Sequence, residues 1–149
     1  MILGSQQGTY QKGRPLPVNR MILVIDDEKS IRNLFESALS DIGCEVFLAE
    51  NEEEALDILD KKREIELIFL DLRLFGTNGI ELCRKIRKTK PVAIINAITG
   101  WSGLFDIEEC REAGFDDYFK KPILLDTLFK AVKEAFEKLD RWRNPFPGT

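Results

Sequence analysis

Apolar residues along this chain follow two alternating patterns. Short apolar runs stand at MILVI 21–25, CEVFLA 44–49, IELIFL 65–70 and VAIINAI 92–98, with the shorter DDYF at 116–119, and three of them are nearly continuous. Runs of this kind fit strands covered on both faces, because helices lie on each side of a parallel sheet. Between them apolar residues recur every three or four positions. The first such stretch carries Ile31, Leu34, Phe35, Ala38, Leu39 and Ile42, the stripe of a helix packed on a sheet, and Gly43 is placed to stop it. The second opens at Asn51 with Glu54 three residues on, an N-cap arrangement, and puts Ala55, Ile58 and Leu59 on one side. GIELCRKIRK and LFDIEECREAG supply two more helices. The last carries Leu125, Leu128, Phe129, Val132, Phe136 and Leu139 on one side. About five strand-helix repeats predict an α/β fold: a doubly wound, five-stranded parallel sheet with right-handed crossovers and helices on both faces. Residues 1–20, polar and rich in Gly and Pro, read as a flexible leader, with an expression-vector origin for part of it left open. Residues 21–139 form the domain and 140–149 a short C-terminal tail.

In such a sheet ligands sit beyond the carboxyl ends of the strands. The residues found there are Asp26 and Asp27 after the first run, Asp71 after the third, Thr99 after the fourth and Lys121 just past the fifth. Glu28 belongs either to this acidic group or to the first turn of the helix, where acidic residues suit the macrodipole. A carboxylate at the end of a buried run such as Leu67-Ile68-Phe69-Leu70 is costly unless it is paired, hydrogen-bonded or bound to metal. Three ionised carboxylates are brought to formal neutrality by one Mg²⁺ and the Lys121 ammonium. Adding a hydroxyl makes a site suited to a phosphoryl group, with Asp71 as the nucleophile that forms an aspartyl phosphate. Taken singly, each residue is more often a cap or a turn former. Five at consistent places in one alternating pattern are much harder to explain that way.

Charge and composition narrow the partners. A formal net charge of -4 over 149 residues argues against broad binding to nucleic acid. The chain has no histidine and three scattered cysteines, Cys44, Cys83 and Cys110, so structural zinc, a disulfide scaffold and histidine catalysis are all disfavoured. No run is long and apolar enough to span a bilayer, and no signal peptide opens the chain; a cytoplasmic location is expected. The tail DRWRNPFPGT is too short and too proline-broken for a DNA-binding module. Output is therefore expected through a partner, unless the chain is a piece of something larger; Trp142 and Phe146 are either a docking tail or packing for the last helix.

Four segments, VIDDE, FLDLRLFGTNGIELCRKIR, AITG and AGFDDYFKKP, carry a resemblance. The chain from about 21 to 139 resembles a receiver domain of the two-component response regulators, single-domain chemotaxis regulators included. The resemblance implies that Asp71 accepts phosphate from a phosphohistidine of a sensor histidine kinase or histidine phosphotransfer protein. It implies Mg²⁺ held by Asp26, Asp27, Asp71 and the backbone carbonyl of Arg73. Thr99 would bond the phosphoryl group on activation, Lys121 would pair with it, and the Lys121–Pro122 bond would be cis. Tyr118 would move inward with Thr99 and change the partner face made by the fourth helix, fifth strand and fifth helix; read from the sequence alone, it is an ordinary core tyrosine. The output would be a downstream protein effector or a covalently linked output domain outside this chain, with no direct DNA binding, and phosphorylation could drive a homodimer. With no histidine of its own, the chain needs a partner as phosphodonor.

Phe75 stands where the family commonly has Pro. Arg73 and Trp101, each two residues past a site residue, are placed to tune the lifetime of the acyl phosphate, or are a solvated charge and a packing aromatic. Rival readings are an aspartyl-phosphate phosphohydrolase of the haloacid-dehalogenase type, a flavodoxin-like cofactor module and a receiver-like module that binds without phosphorylation. The first wants a second Asp where Arg73 stands, and the second a glycine-rich phosphate loop after Ile25. The phosphoacceptor switch, regulatory rather than enzymatic, is the expected function.

Overall fold

The structure, a computed structural model, describes residues 20–74, 76–100 and 107–144. Five strands are paired in one parallel sheet: β1 (Met21–Ile25), β2 (Glu45–Ala49), β3 (Leu67–Asp71), β4 (Ile94–Thr99) and β5 (Asp117–Lys120). Five helices connect or follow them: α1 (Lys29–Asp41), α2 (Glu52–Lys61), α3 (Gly79–Thr89), α4 (Ile107–Ala113) and α5 (Leu125–Arg143). The spatial order β2-β1-β3-β4-β5 reverses direction at β1, which places a switch point between β1 and β3.

The pleat sorts the strand residues into two cores. Leu23, Ile25, Ile68, Leu70, Ile95 and Ala97 face α2, α3 and α4, against Ala55, Leu59, Ile80, Cys83, Ile86 and Cys110. Their neighbours Ile22, Val24, Leu67, Phe69, Ile94 and Ile98 face α1 and α5, against Phe35, Leu39, Leu128, Val132 and Phe136. Each large aliphatic side chain so buried contributes about 1.5–3 kcal/mol. Phe35 of α1 meets Phe69 of β3 edge to face, centroids 5.4 Å apart, two residues from Asp71. The rigid centre of the sheet thus carries the candidate acceptor at its carboxyl edge.

Several details depart from the sequence expectation. Ile65 and Ala93 are buried but precede their strands, each entering it through a turn closed onto Lys62 or Lys90. At the other end, Asp71 and Thr99 stay in the ladder, opposite Ile98 and Lys120. Leu34 and Leu125, placed on packed stripes by periodicity, are 41% and 44% exposed. A short antiparallel ladder pairs Arg73–Leu74 with Thr77–Asn78, an element the apolar pattern does not signal. Gly76 turns between its strands with φ +79°, where a side chain would be strained. Finally, α5 continues past Leu139 through Asp140–Arg143, so part of the expected tail is helical. Long-range pairs hold it: Arg20 donates twice to Asp140 at 2.6 and 2.8 Å and stacks on Phe136, and Arg143 pairs with Glu66. Among the described residues no helix is long and apolar enough to cross a membrane.

Candidate functional site

Three turns bring the site together at the carboxyl edge of the sheet. After β1 the chain leaves the ladder with Asp26 N–H bonded to Ala49 O, and Arg32 of α1 donates to Asp26 O at 2.9 Å. Asp26 Oδ1 accepts the Glu28 N–H at 2.9 Å, an Asx-type closure of the β1–α1 turn. After β3, Asp71 Oδ1 accepts the Arg73 N–H at 3.1 Å. Gly79, at the start of α3, lies so close to this turn that a Cβ on it would stand 2.5 Å from Asp71 O and 2.7 Å from Leu72 Cα. After β5, Lys121 N–H donates to Thr99 O at 2.8 Å, which seats the lysine beside the end of β4. The Lys121–Pro122 bond is cis.

The Lys121 ammonium is the hub. It lies 2.8 Å from Asp26 Oδ2, 2.9 Å from Glu28 Oε1 and 3.3 Å from Asp71 Oδ2. Asp26 and Asp71 are buried, Asp27 is exposed, and one carboxylate oxygen from each lies within 4.8 Å of the others. Burial pushes the Asp26 carboxyl up, against the Lys121 ammonium beside it and the bond from the Glu28 N–H. Burial likewise lifts Asp71 to about 6, with the Asp26 charge adding to it and the Arg73 N–H and Lys121 opposing. On Lys121 burial acts to lower the value, but the close Asp26 and Glu28 carboxylates and the Asp71 charge outweigh it and raise it.

These residues fit a divalent cation. Although Asp26 Oδ2 is close to the ammonium, it has no hydrogen bond of acceptable alignment, and a buried carboxylate oxygen so placed is a ready metal ligand. A single lysine does not balance two buried carboxylates and their exposed neighbours. Asp26, Asp27 and Asp71 are the side chains that would hold the ion.

The model of the response regulator receiver domain matches residues 22–133. The chain belongs to the response regulator receiver domain family. Among curated relatives, a probable transcriptional regulator ycf27 of Porphyridium aerugineum is 38% identical over 120 residues, covering 80% of this chain and 49% of its own length. The sporulation initiation phosphotransferase F of Bacillus subtilis is 32% identical over 117 residues, covering 78% of this chain and 94% of its own. This chain thus spans about half the length of the first relative and nearly all of the second. The structure is similar to that of a CheY-like receiver domain protein from Methanospirillum hungatei, with TM-score 0.78 at 27% identity, over 83% of this chain and 98% of that one. The five-stranded parallel sheet wrapped by five helices is the receiver fold.

The residues at the strand ends lie together at the carboxyl edge of the sheet. Asp26, Asp27, Asp71 and Lys121 are brought into one cluster, and Thr99, fully buried at the end of β4, stands at the same edge. Tyr118 is half-buried on β5, packed against the core that α3 and α4 cover. The Arg73 backbone meets Asp71, while the residue itself is exposed. Trp101 and Phe75, and Phe146 of the tail, lie outside the described residues.

Two residues carry more than periodicity suggests. Glu28, which the sequence leaves between two roles, is a direct partner of Lys121. Arg87, at the end of α3, closes one of the segments that carry the resemblance but is given no role by it. Its guanidinium donates to the carbonyls of Gly114, Lys90, Pro91 and Ala93 and to Asp116 Oδ2 at 2.7 Å, and Asp116 Oδ2 also accepts the Ile95 N–H at 2.8 Å. It ties α3 to the starts of β4 and β5. Its only sequence signal is a basic residue in a last helical turn, where any Lys or Arg is favoured.

Proposed function

We propose that this receiver domain is a phosphoacceptor switch in which Asp71 takes a phosphoryl group from a phosphohistidine on a sensor histidine kinase or phosphotransfer protein. The observation that carries the reading is a buried, hydrogen-bonded Asp71 carboxylate 3.3 Å from Lys121, with Asp26 and Asp27 oxygens within 4.8 Å. In the transfer, one Asp71 oxygen attacks phosphorus. The P–N bond of the donor breaks as the new P–O bond forms, and the imidazole nitrogen keeps the electron pair and takes a proton. The Arg73 N–H orients the carboxylate for attack. Asp26, Asp27 and Asp71 would hold Mg²⁺, which would supply positive charge to offset that of the phosphoryl oxygens. Lys121 supplies the matching ammonium. Asp71 attacks as the anion, so the burial that lifts its carboxyl works against transfer and the positive charge of Lys121 works for it.

In this reading Thr99 bonds the phosphoryl group, Tyr118 follows it inward, and the face of α4, β5 and α5 changes for its partner. A ligand moves such an equilibrium only by contacts it makes better in one state. The output is a downstream effector or a linked domain beyond this chain. A relative about twice the length of the matched region is a probable transcriptional regulator, whereas the sporulation phosphotransferase is of similar length to the matched region. Direct DNA contact by the domain itself is no part of the reading, given the net charge of -4. Phosphorylation-dependent pairing of two copies, a cytoplasmic location and, at most, self-catalysed loss of the phosphoryl group complete it. Arg73 and Trp101 are its candidates for setting that lifetime.

Incubation with a phosphorylated histidine kinase domain and Mg²⁺ tests the reading. Label should move to this chain in a linkage labile to alkali and absent in Asp71→Asn. Retention of label on the kinase in every tested pairing, together with no Mg²⁺ binding, would leave the phosphorylation-independent module as the better account.

A further inference from the structure

We propose that Glu28 is a positioning residue of this site: it holds the Lys121 ammonium in the unphosphorylated state and must yield it to a phosphoryl group on Asp71. The inference rests on the phosphoacceptor reading of Asp71. An ammonium has three donors, and here it faces three carboxylates. The contact with Glu28 is a 2.9 Å hydrogen bond, that with Asp71 is the longest at 3.3 Å, and that with Asp26 is close but poorly aligned.

Glu28 occupies the N-cap of α1 with extended backbone, φ -89° and ψ 117°, yet its side chain makes no capping bond. An acidic group there is favoured by the positive end of the helix dipole without needing a partner of its own. This one reaches instead across 93 positions of sequence to Lys121. Phosphoryl oxygens on Asp71 therefore compete with Glu28 for one ammonium, and the two anionic groups repel each other across it. Glu28 weights the resting arrangement, and its 58% exposure keeps the bias modest.

Beryllofluoride, a tetrahedral mimic of the phosphoryl group, titrated at saturating Mg²⁺ separates this effect from metal affinity. Glu28→Gln should bind it about three- to tenfold more tightly, the range of one charge-assisted bond at a half-exposed position. Glu28→Asp keeps the charge but is one methylene shorter and can cap α1 instead of reaching Lys121, and it should also bind more tightly. In a metal-free crystal structure of Glu28→Gln, Lys121 Nζ should lie closer to Asp71 Oδ2 than 3.3 Å. Equal or weaker beryllofluoride binding by Glu28→Gln overturns the proposal, as does wild-type behaviour of Glu28→Asp, which would leave only a general field effect. A wild-type protein that takes no beryllofluoride at saturating Mg²⁺ overturns the phosphoacceptor reading itself.

Discussion

Asp71→Asn should stabilise the metal-free protein. The Asp71 carboxyl has its pKa lifted from 3.8 to about 6 by burial first and by the Asp26 charge second. At about 1.4 kcal/mol for each tenfold change in proton affinity, keeping it ionised at pH 7 costs the fold about 3 kcal/mol. Loss of one of three partners of Lys121, and imperfect satisfaction of the new amide, reduce the expected gain to about 1–3 kcal/mol. For a chain of this size that is a rise in Tm of roughly 3–12 °C. The sign follows from the raised value. Between pH about 4 and 6 the folded protein holds a proton that the unfolded chain has released, so wild-type stability falls as pH rises through that window. The advantage of Asp71→Asn is therefore absent below pH about 4, grows through the window and is complete above about 6. Urea unfolding of both proteins in a chelating buffer from pH 3.5 to 7.5 measures it. Mg²⁺ should reverse the order, because the ion stabilises more the protein that retains all three carboxylates. An Asp71→Asn protein no more stable than wild type in chelator at pH 7 would refute the argument that Asp71 is held as a strained, buried anion.

Gly79→Ala puts a Cβ 2.5 Å from Asp71 O and 2.7 Å from Leu72 Cα, so the backbone itself must shift; a loss of about 1–3 kcal/mol in urea unfolding, with weaker Mg²⁺ binding, is expected. Arg87→Ala strips four carbonyls of a donor and leaves Asp116 without its 2.7 Å partner; it should cost about 2–4 kcal/mol while leaving Mg²⁺ affinity nearly unchanged, measured by unfolding and calorimetry. Thr99→Ala should keep phosphorylation of Asp71 and weaken the change at the face of α4, β5 and α5, read by amide shifts with and without beryllofluoride. Equal loss of both would contradict that division of labour.

Much of the fold and the site is legible in the sequence because the signals are local. A strand buried on both faces leaves an apolar run that little else imitates, so β1, β3 and β4 stand out. The residues that follow such runs converge on one edge by topology alone, which brings Asp26, Asp27, Asp71, Thr99 and Lys121 together. What is not legible depends on contacts distant in sequence. Leu34 satisfies the helical period, but whether a stripe position is covered depends on where the neighbouring elements end. Two-residue strands such as Arg73–Leu74 and Thr77–Asn78 are too short to show alternation. The last turn of α5 is held by Glu66, 77 residues away from Arg143, and Arg87 is held by Asp116, 29 residues on. Glu28 is ambiguous in sequence because an acidic residue after Asp26-Asp27 suits a helix start and a metal site equally well, and only the position of Lys121 decides between them.

The central claim is that Asp71 is the phosphoacceptor of a Mg²⁺-dependent receiver site. Intact mass after incubation with a small-molecule phosphodonor, with and without Mg²⁺, for the wild-type chain and Asp71→Asn, tests it most directly. A single phosphoryl adduct is expected on the wild-type chain, dependent on Mg²⁺ and absent from Asp71→Asn. An adduct of equal yield on Asp71→Asn, or one indifferent to Mg²⁺, would contradict it.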